Sequence, residues 1–304
     1  MALDGLLKRI WGERRMTLTF TKMHGLGNDY LFIDVRAMDP TCPIDWSAIA
    51  VAMSSRHFGI GADGIILIDL ARGPNALASM RIFNADGSES EMCGNGLRAM
   101  TKWLYDRQQW QPGLGIETGA GLRFPEILEH QEGLATKIRV NMGRPALMRG
   151  AIGMQGNPDT PCLEELFDLG DRTVLISCVS MGNPHLMVFG PLWEWNTLQH
   201  YGPLIEHHEM FLHRINVHSV EVVDANHLRM RHWERGSGMT LACGTGAAAA
   251  LVAAVLGHGV NREAWIEVPG GEMQAQWDEA SGDVYLTGSA VEVFEGRYWI
   301  PEQD

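Results

Sequence analysis

Two cysteines head matched glycine-rich segments, Met92-Cys93-Gly94-Asn95-Gly96 and Ala242-Cys243-Gly244-Thr245-Gly246. Nine residues before each stands a polar residue that opens a Gly/Ser loop, Asn84 before Cys93 and Glu234 before Cys243. A run of small and apolar residues follows each cysteine. A cysteine at a helix N-terminus faces unpaired backbone N–H groups and the positive end of the helix dipole. That setting favours thiolate and is expected to bring the thiol below its ordinary pKa of about 8.5. The same N–H groups can receive a carboxylate, and the glycines allow close backbone approach.

Two such thiols facing one substrate would do acid–base chemistry on opposite faces of a carbon. An amino-acid α-proton is less acidic than a thiol by roughly ten pKa units, at about 1.4 kcal/mol per unit. N–H donors aimed at the developing enolate reduce that gap, with no need of pyridoxal or metal. One thiolate removes the proton, one thiol protonates the other face, and inversion follows. This is general acid–base rather than nucleophilic catalysis. Cys42, Cys162 and Cys178 lack the glycine-rich context and are read as inert core thiols.

The elements that must hold these thiols are two helices, over 93–105 and 246–256, each set among short strands. The two cysteine segments lie half a chain apart, which suggests duplication into two similar domains rather than a solenoid. Short strands with few helices indicate an α+β or mixed α/β fold. A boundary is expected near Glu132 to Thr136, where Gly133 and charged residues interrupt the pattern, for an extension over 1–16, a first domain of 17–134 plus 290–304, and a second of 135–289. A helix is expected over 44–53 with Ser47 as its early cap, a helix near 198–206, and short strands over 116–129 and 136–140.

The 304 residues, 45% hydrophobic and 20% charged, suit two ordinary globular domains. A net charge of −13 argues against nucleic acid or an anionic membrane as partner. Five sparse cysteines argue for a reducing, cytoplasmic setting rather than a disulfide scaffold. No apolar run reaches the roughly 20 residues of a membrane span. Residues 1–15 place Leu3, Leu6, Leu7, Ile10 and Trp11 at helical spacing beside Lys8, Arg9, Arg14 and Arg15. They read as an amphipathic arm or, the preferred reading, a start-site extension ahead of Met16. His207, His208, His213 and His218 fit no standard metal-ligand spacing, so no metal is expected. Gly25-Leu26-Gly27 is too short for a nucleotide fingerprint.

Six segments in order carry a family likeness: Lys22-Met23-His24-Gly25-Leu26-Gly27-Asn28-Asp29-Tyr30, Arg81-Ile82-Phe83-Asn84-Ala85-Asp86-Gly87-Ser88, Cys93-Gly94-Asn95-Gly96, Met181-Gly182-Asn183-Pro184-His185, Glu234-Arg235-Gly236 and Ala242-Cys243-Gly244-Thr245-Gly246. Together they resemble diaminopimelate epimerase, from about Thr17 to Tyr298. The resemblance implies two pseudosymmetric α/β domains, each a barrel-like sheet around a central helix, with the active site in the cleft between them. It implies cofactor-free interconversion of LL- and meso-2,6-diaminopimelate, in bacterial lysine and cell-wall synthesis, by a homodimer.

By that resemblance Cys93 and Cys243 are the acid–base pair. Asn28 helps hold the substrate. Asn84, Asn183 and Asn216 hydrogen-bond its distal end, and Arg235 grips the distal carboxylate, a task suited to a guanidinium fork. Glu234 and His185 sit beside the reacting centre. Gly94, Asn95, Gly244 and Thr245 offer donors to the proximal carboxylate. Two positions depart from the pattern. Gly64 stands where some members carry glutamine, and Met239 replaces a common acidic residue. Two rival readings remain, another cofactor-independent racemase or isomerase of the same fold and a thiol redox switch that joins Cys93 to Cys243.

Overall fold

The structure is a computed structural model that describes residues 16–39, 41 and 44–300. The N-terminal arm and Cys42 lie outside the described residues. The first half comprises β1 (Met16–Gly25), β2 (Asn28–Asp34), α1 (Trp46–Ser54), β3 (Gly64–Asp69), β4 (Ala76–Asn84), β5 (Glu89–Ser90), α2 (Gly94–Asp106), β6 (Gly115–Thr118) and β7 (Gly121–Arg123). Then follow β8 (Glu126–Gln131), β9 (Leu134–Gly143), α3 (Arg149–Ile152), β10 (Cys162–Asp168), β11 (Thr173–Ser180), β12 (Pro184–Phe189), α4 (Trp195–Glu206), β13 (Asn216–Asp224), β14 (His227–Glu234) and β15 (Gly238–Met239). The chain closes with α5 (Gly244–Gly257), β16 (Glu263–Val268), β17 (Gly271–Trp277), β18 (Val284–Gly288) and β19 (Val291–Ile300).

Two sheets organise these strands. One runs β19-β1-β2-β3-β4-β6-β7 with β5 on β4, and the other runs β10-β11-β12-β13-β14-β16-β17-β18-β9-β8 with β15 on β14. The halves repeat the same path. In each, an antiparallel pair leads to a parallel crossover (β2 to β3, β12 to β13), an antiparallel step (β3 to β4, β13 to β14), and a second parallel crossover over the cysteine-headed helix (β4 to β6, β14 to β16). Both strand orders have free ends, so the expected barrel-like sheets are open sheets curved about a helix. β8 pairs with β9, so the expected division at 134/135 falls just inside β9, and both strands of that hairpin belong to the second sheet. The chain passes to the second sheet at 124–125 and returns at 289–290.

The central helices are buried for compositional reasons. In α5 every side chain from Ala247 to Ala254 is 0% exposed, as befits a helix that is apolar all round. It touches β10 through β14 and β16 through β18, and its alanines let those strands come close. Helix α2 lies against β1, β2 and β19 and also against β9 of the other sheet, and it meets α5 directly. One continuous core therefore joins both helices.

Other elements differ from the sequence reading. Asp45, not Ser47, caps α1 by accepting from Ala48 N–H, while the Ser47 hydroxyl donates to Gly87 O. The expected strand over 116–129 is three strands, because Gly121 takes a positive φ of 98° and Pro125 has no N–H to donate to a ladder. The second-half helix begins at Trp195 rather than 198. Strand β10 and the short helix α3 have no clear signal in the chain's periodicity.

Candidate active site

Cys93 and Cys243 are the N-caps of α2 and α5, both in extended backbone, with φ −141° and −127°. Cys93 Sγ accepts from Gly96 N–H at 3.3 Å. Cys243 Sγ lies 3.7 Å from Thr245 Oγ1. The glycine three residues on sits against a neighbouring side chain in both helices. A Cβ on Gly96 would come within 2.6 Å of Ile66 Cδ1, and one on Gly246 within 2.5 Å of His218 Cε1. The helix starts face one another, since a Cβ on Gly244 would stand 3.9 Å from Asn95 Oδ1. The spacing argument placed both cysteines correctly.

On the Cys93 side a chain of amides has its orientation fixed at both ends. Arg98 Nη2 donates to Asn95 Oδ1 at 2.5 Å, Asn95 Nδ2 to Asn28 Oδ1 at 3.2 Å, and Asn28 Nδ2 to Asp63 Oδ2 at 2.8 Å. A guanidinium only donates and a carboxylate only accepts, so neither amide can flip. Asn28 therefore presents its carbonyl to Cys93, whose Sγ–H donates to it at 3.5 Å. Tyr30 lies beside Cys93 and acts to lower its thiol. Behind Asp63 stand Arg56 at 2.8 Å and Asp29, itself paired with Arg56 and Lys22 at 2.9 Å each. Burial works against charge at Asp29, yet Arg56 and Lys22 hold it below the usual carboxylate value. Burial, with Asp29 nearby, pushes Asp63 up. Arg98 is 0% exposed, and its Nε and Nη1 have no partner. Burial brings it down to about 10. The roles of Lys22, Tyr30, Arg56, Asp63 and Arg98 were absent from the sequence reading.

The Cys243 side is built from imidazoles. Asn183 Nδ2 donates to Thr245 Oγ1 at 3.3 Å. Its Oδ1 is then the atom that meets His185 Nε2 at 3.0 Å, and His185 Nδ1 meets His218 Nε2 at 2.9 Å. That sequence of donors assigns the proton of His185 to Nε2 and that of His218 to Nε2, which leaves His218 Nδ1 bare and unpartnered. His232 stacks edge-on to His218 at 5.9 Å. Glu234 accepts from the Thr240 hydroxyl, and its charge is near enough to push up Cys243.

The strand registers make the two sides superimposable. Tyr30–Gly64–Asn84 on neighbouring strands of the first sheet corresponds to His185–Asn216 in the second, with Glu234 one residue beyond the Val217–Trp233 pair. Likewise Ile66 opposite Ile82 corresponds to His218 opposite His232. Gly64 has no room for a side chain, because a Cβ would meet Phe83 O at 2.2 Å, which accounts for that departure. Met239 is 41% exposed at the β14–β15 turn.

The remaining candidates are tied largely to backbone. Asn216 Oδ1 accepts from Arg235 N–H at 2.9 Å and its Nδ2 donates to Pro184 O at 2.8 Å, leaving one N–H free. Arg235 Nη1 donates to His213 O at 2.8 Å. Asn84 Nδ2 donates to Ser88 Oγ at 3.0 Å. Glu206, missed in the sequence, pins the Arg235 loop by accepting from Trp233 Nε1 at 2.7 Å and Gly236 N at 3.1 Å.

The expected lowering of the thiols does not hold here. Burial pushes Cys93 up, against the opposing effects of Gly96 N–H, Tyr30 and Arg98. Burial and the adjacent Glu234 charge push Cys243 well above the ordinary thiol value. Glu234 is raised by its own burial. Desolvation outweighs the helix-end dipole in this arrangement.

The histidines give the fold an acid sensitivity. Burial brings His185 from 6.5 to about 3 and His232 from 6.5 to about 4. A depressed imidazole binds fewer protons folded than unfolded, so its stability is complete above 6.5 and declines as pH falls toward the folded value. Each histidine contributes a slope of about 1.4 kcal/mol per pH unit. Urea midpoints should fall steeply between pH 6.5 and about 4, and more shallowly in His232→Ile. Equal slopes in both proteins would contradict this.

The profile described as "Diaminopimelate epimerase" matches residues 20–148 and 177–293. The chain is 44% identical over 280 residues to the diaminopimelate epimerase of Pelotomaculum thermopropionicum, covering 92% of this chain and 98% of that one. It is also 44% identical to that of Desulforudis audaxviator, covering 93% and 99%. The chain belongs to the diaminopimelate epimerase family. Solved structures share the epimerase fold at low identity. A PhzF-family phenazine biosynthesis protein of Bacillus anthracis aligns with a TM-score of 0.66 at 18% identity, over 94% of this chain and 100% of that one. A hydroxyproline epimerase of Agrobacterium vitis aligns with a TM-score of 0.64 at 13% identity, over 94% and 93%. Among the described residues of this diaminopimelate epimerase family member, no helix is long and apolar enough to cross a membrane.

Proposed function

We propose that this chain inverts one α-carbon of 2,6-diaminopimelate, converting the LL to the meso isomer without a cofactor. The observation that carries the reading is the pair of thiols capping two opposed helices drawn from equivalent positions of a repeated half. The substrate assignment rests on relatives of that name at 44% identity.

In the reaction one thiolate takes the α-proton and the other thiol delivers its own to the opposite face, so the two exchange roles at each turnover. The backbone N–H groups after Gly94 and Gly244, with Asn95 and Thr245, receive the proximal carboxylate and the enolate charge that grows on it. Asn28 orients the Cys93 thiol. Glu234, whose charge raises Cys243, tunes that thiol and faces the substrate ammonium. His185 is neutral and holds Asn183 rather than acting as a base. Asn84, Asn183, the free N–H of Asn216 and the Arg235 fork receive the distal amino-acid group, the fork by turning from His213 O. The two sheets serve as two domains about this cleft, in a cytoplasmic homodimer.

Reduced enzyme in deuterated water should place deuterium at the α-carbon of LL-diaminopimelate while the meso isomer appears. Folded protein that exchanges no α-hydrogen would sink the reading. Exchange into proline but not diaminopimelate would favour another racemase of this fold.

A further inference from the structure

We propose that His185, His218 and Cys243 form a site for a thiophilic divalent cation of the zinc class, and that its occupancy arrests the enzyme by ligating Cys243. The proposal rests on the catalytic role given to Cys243. One ligand atom from each residue lies within 4.8 Å of the others, and all three side chains are buried. The point where a Gly246 Cβ would stand is 2.8 Å from His218 Nε2 and 3.1 Å from Cys243 Sγ, so these two atoms converge on one spot. Tetrahedral zinc takes thiolate at about 2.3 Å and imidazole at about 2.0–2.1 Å, which sets neighbouring ligand atoms somewhat over 3 Å apart. The His185–His218 separation of 2.9 Å widens slightly to reach that value, and the sulfur moves inward.

The second observation comes from the repeat. Where the second half has His218 and His232, the first half has Ile66 and Ile82 at the same registers. The two thiols carry out mirror-related proton transfers, and Cys93 has only Ile66 beneath its helix. The His218 and His232 imidazoles are therefore not a requirement of the isomerisation. They leave three ring nitrogens without partners, His218 Nδ1 and both nitrogens of His232, an uncommon condition for buried polar atoms.

The surroundings suit metal binding. Asn183 Oδ1 accepts from His185 Nε2, which leaves His185 Nδ1 as the lone-pair nitrogen and orients the ring, the usual outer partner of a ligating histidine. Binding releases the Cys243 thiol proton to solvent, and the His218 proton moves from Nε2 to its vacant Nδ1. The fourth ligand position falls to water or to Glu234. Of the four histidines weighed from sequence, only His218 takes part. His207 Nδ1 meets Pro203 O and His208 Nδ1 accepts from Met210 N–H.

The test titrates chelator-treated, reduced enzyme with Co²⁺ and then Zn²⁺. Co²⁺ reports binding by its thiolate charge-transfer absorption, and deuterium exchange reports activity. One ion per chain is expected. It should be displaced by Zn²⁺, present in Cys93→Ala and lost in Cys243→Ala. In His218→Ile, which installs the residue of the first half, Zn²⁺ affinity should drop at least tenfold. Zn²⁺ inhibition, taken relative to each protein's metal-free rate, should weaken equally. His218→Gln serves the same purpose if the isoleucine variant does not fold. Unchanged Zn²⁺ affinity in the His218 variants, or loss of the absorption in Cys93→Ala, would overturn the site in favour of the two thiols alone. Full activity with the ion bound through Cys243 would overturn the arrest, and would count against Cys243 as a catalytic residue. A metal-free enzyme that exchanges no α-hydrogen would instead fail the isomerase reading while leaving the binding result intact.

Discussion

Cys93→Ala and Cys243→Ala should each lower kcat/KM for epimerisation by at least about a thousandfold. A positioned acid or base contributes about 10²–10⁴, and here each thiol must serve as both in alternate directions. Neither neighbour can substitute. His185 is held neutral by burial at about 3, and Glu234 is engaged by Thr240. The informative measurement is directional. Each variant keeps one thiol, so one should exchange only the α-hydrogen of an L centre and the other only that of a D centre. Normal turnover in either variant would end the two-thiol mechanism. Loss of exchange at both centres in one variant, with the fold intact by circular dichroism, would show that the thiols are not independent faces of the site.

Arg98→Met should cost about 10- to 150-fold in kcat/KM, the range of a hydrogen bond to a charged group, about 1.5–3 kcal/mol. Arg98 touches no thiol. It sets the orientation of Asn95, which sets that of Asn28, which directs a carbonyl at Cys93. With methionine in its place Asn95 can flip and present the wrong atom. Stability should move the other way. A buried cation with two unpartnered nitrogens is costly, and an apolar residue of similar volume is often neutral or stabilising by about 1–4 kcal/mol. The thermal midpoint should hold or rise while activity falls. Arg98→Lys keeps the charge without the fork and should recover only part of the rate. Full activity in Arg98→Met would remove it from the positioning chain.

What was legible in the sequence is what is local. Cys-Gly-x-Gly ahead of a small-residue run marks a helix start within a few residues, so both caps and both central helices were found. The recurrence half a chain later showed the repeat. The ion network was not legible, because Lys22, Asp29, Arg56 and Asp63 come from separate elements and meet only when β1, β2, the α1 exit and the start of β3 are assembled. The three histidines under Cys243 share no spacing, being joined across β12, β13 and β14 by register. The thiol shift was misjudged for a similar reason. The helix end is visible in sequence, but the depth at which it is buried and the approach of Glu234 are not.

The crossing of the chain between sheets fixes where the two lobes are tied together in sequence. Only two connections join the second sheet to the first, at 124–125 and 289–290. Ile127, just after one, and Gly288, just before the other, pair with the same residue, Ile138, from opposite sides. Two strand spacings of about 4.8 Å therefore separate entry and exit. The two connections are thus set one β9 strand apart, and a hinge there would swing α5 relative to α2. Arg98 lies against that hinge, with its Nε 3.4 Å from where a Gly288 Cβ would be. Any flexure there would reach the buried guanidinium first, and through it the amide chain that aims at Cys93.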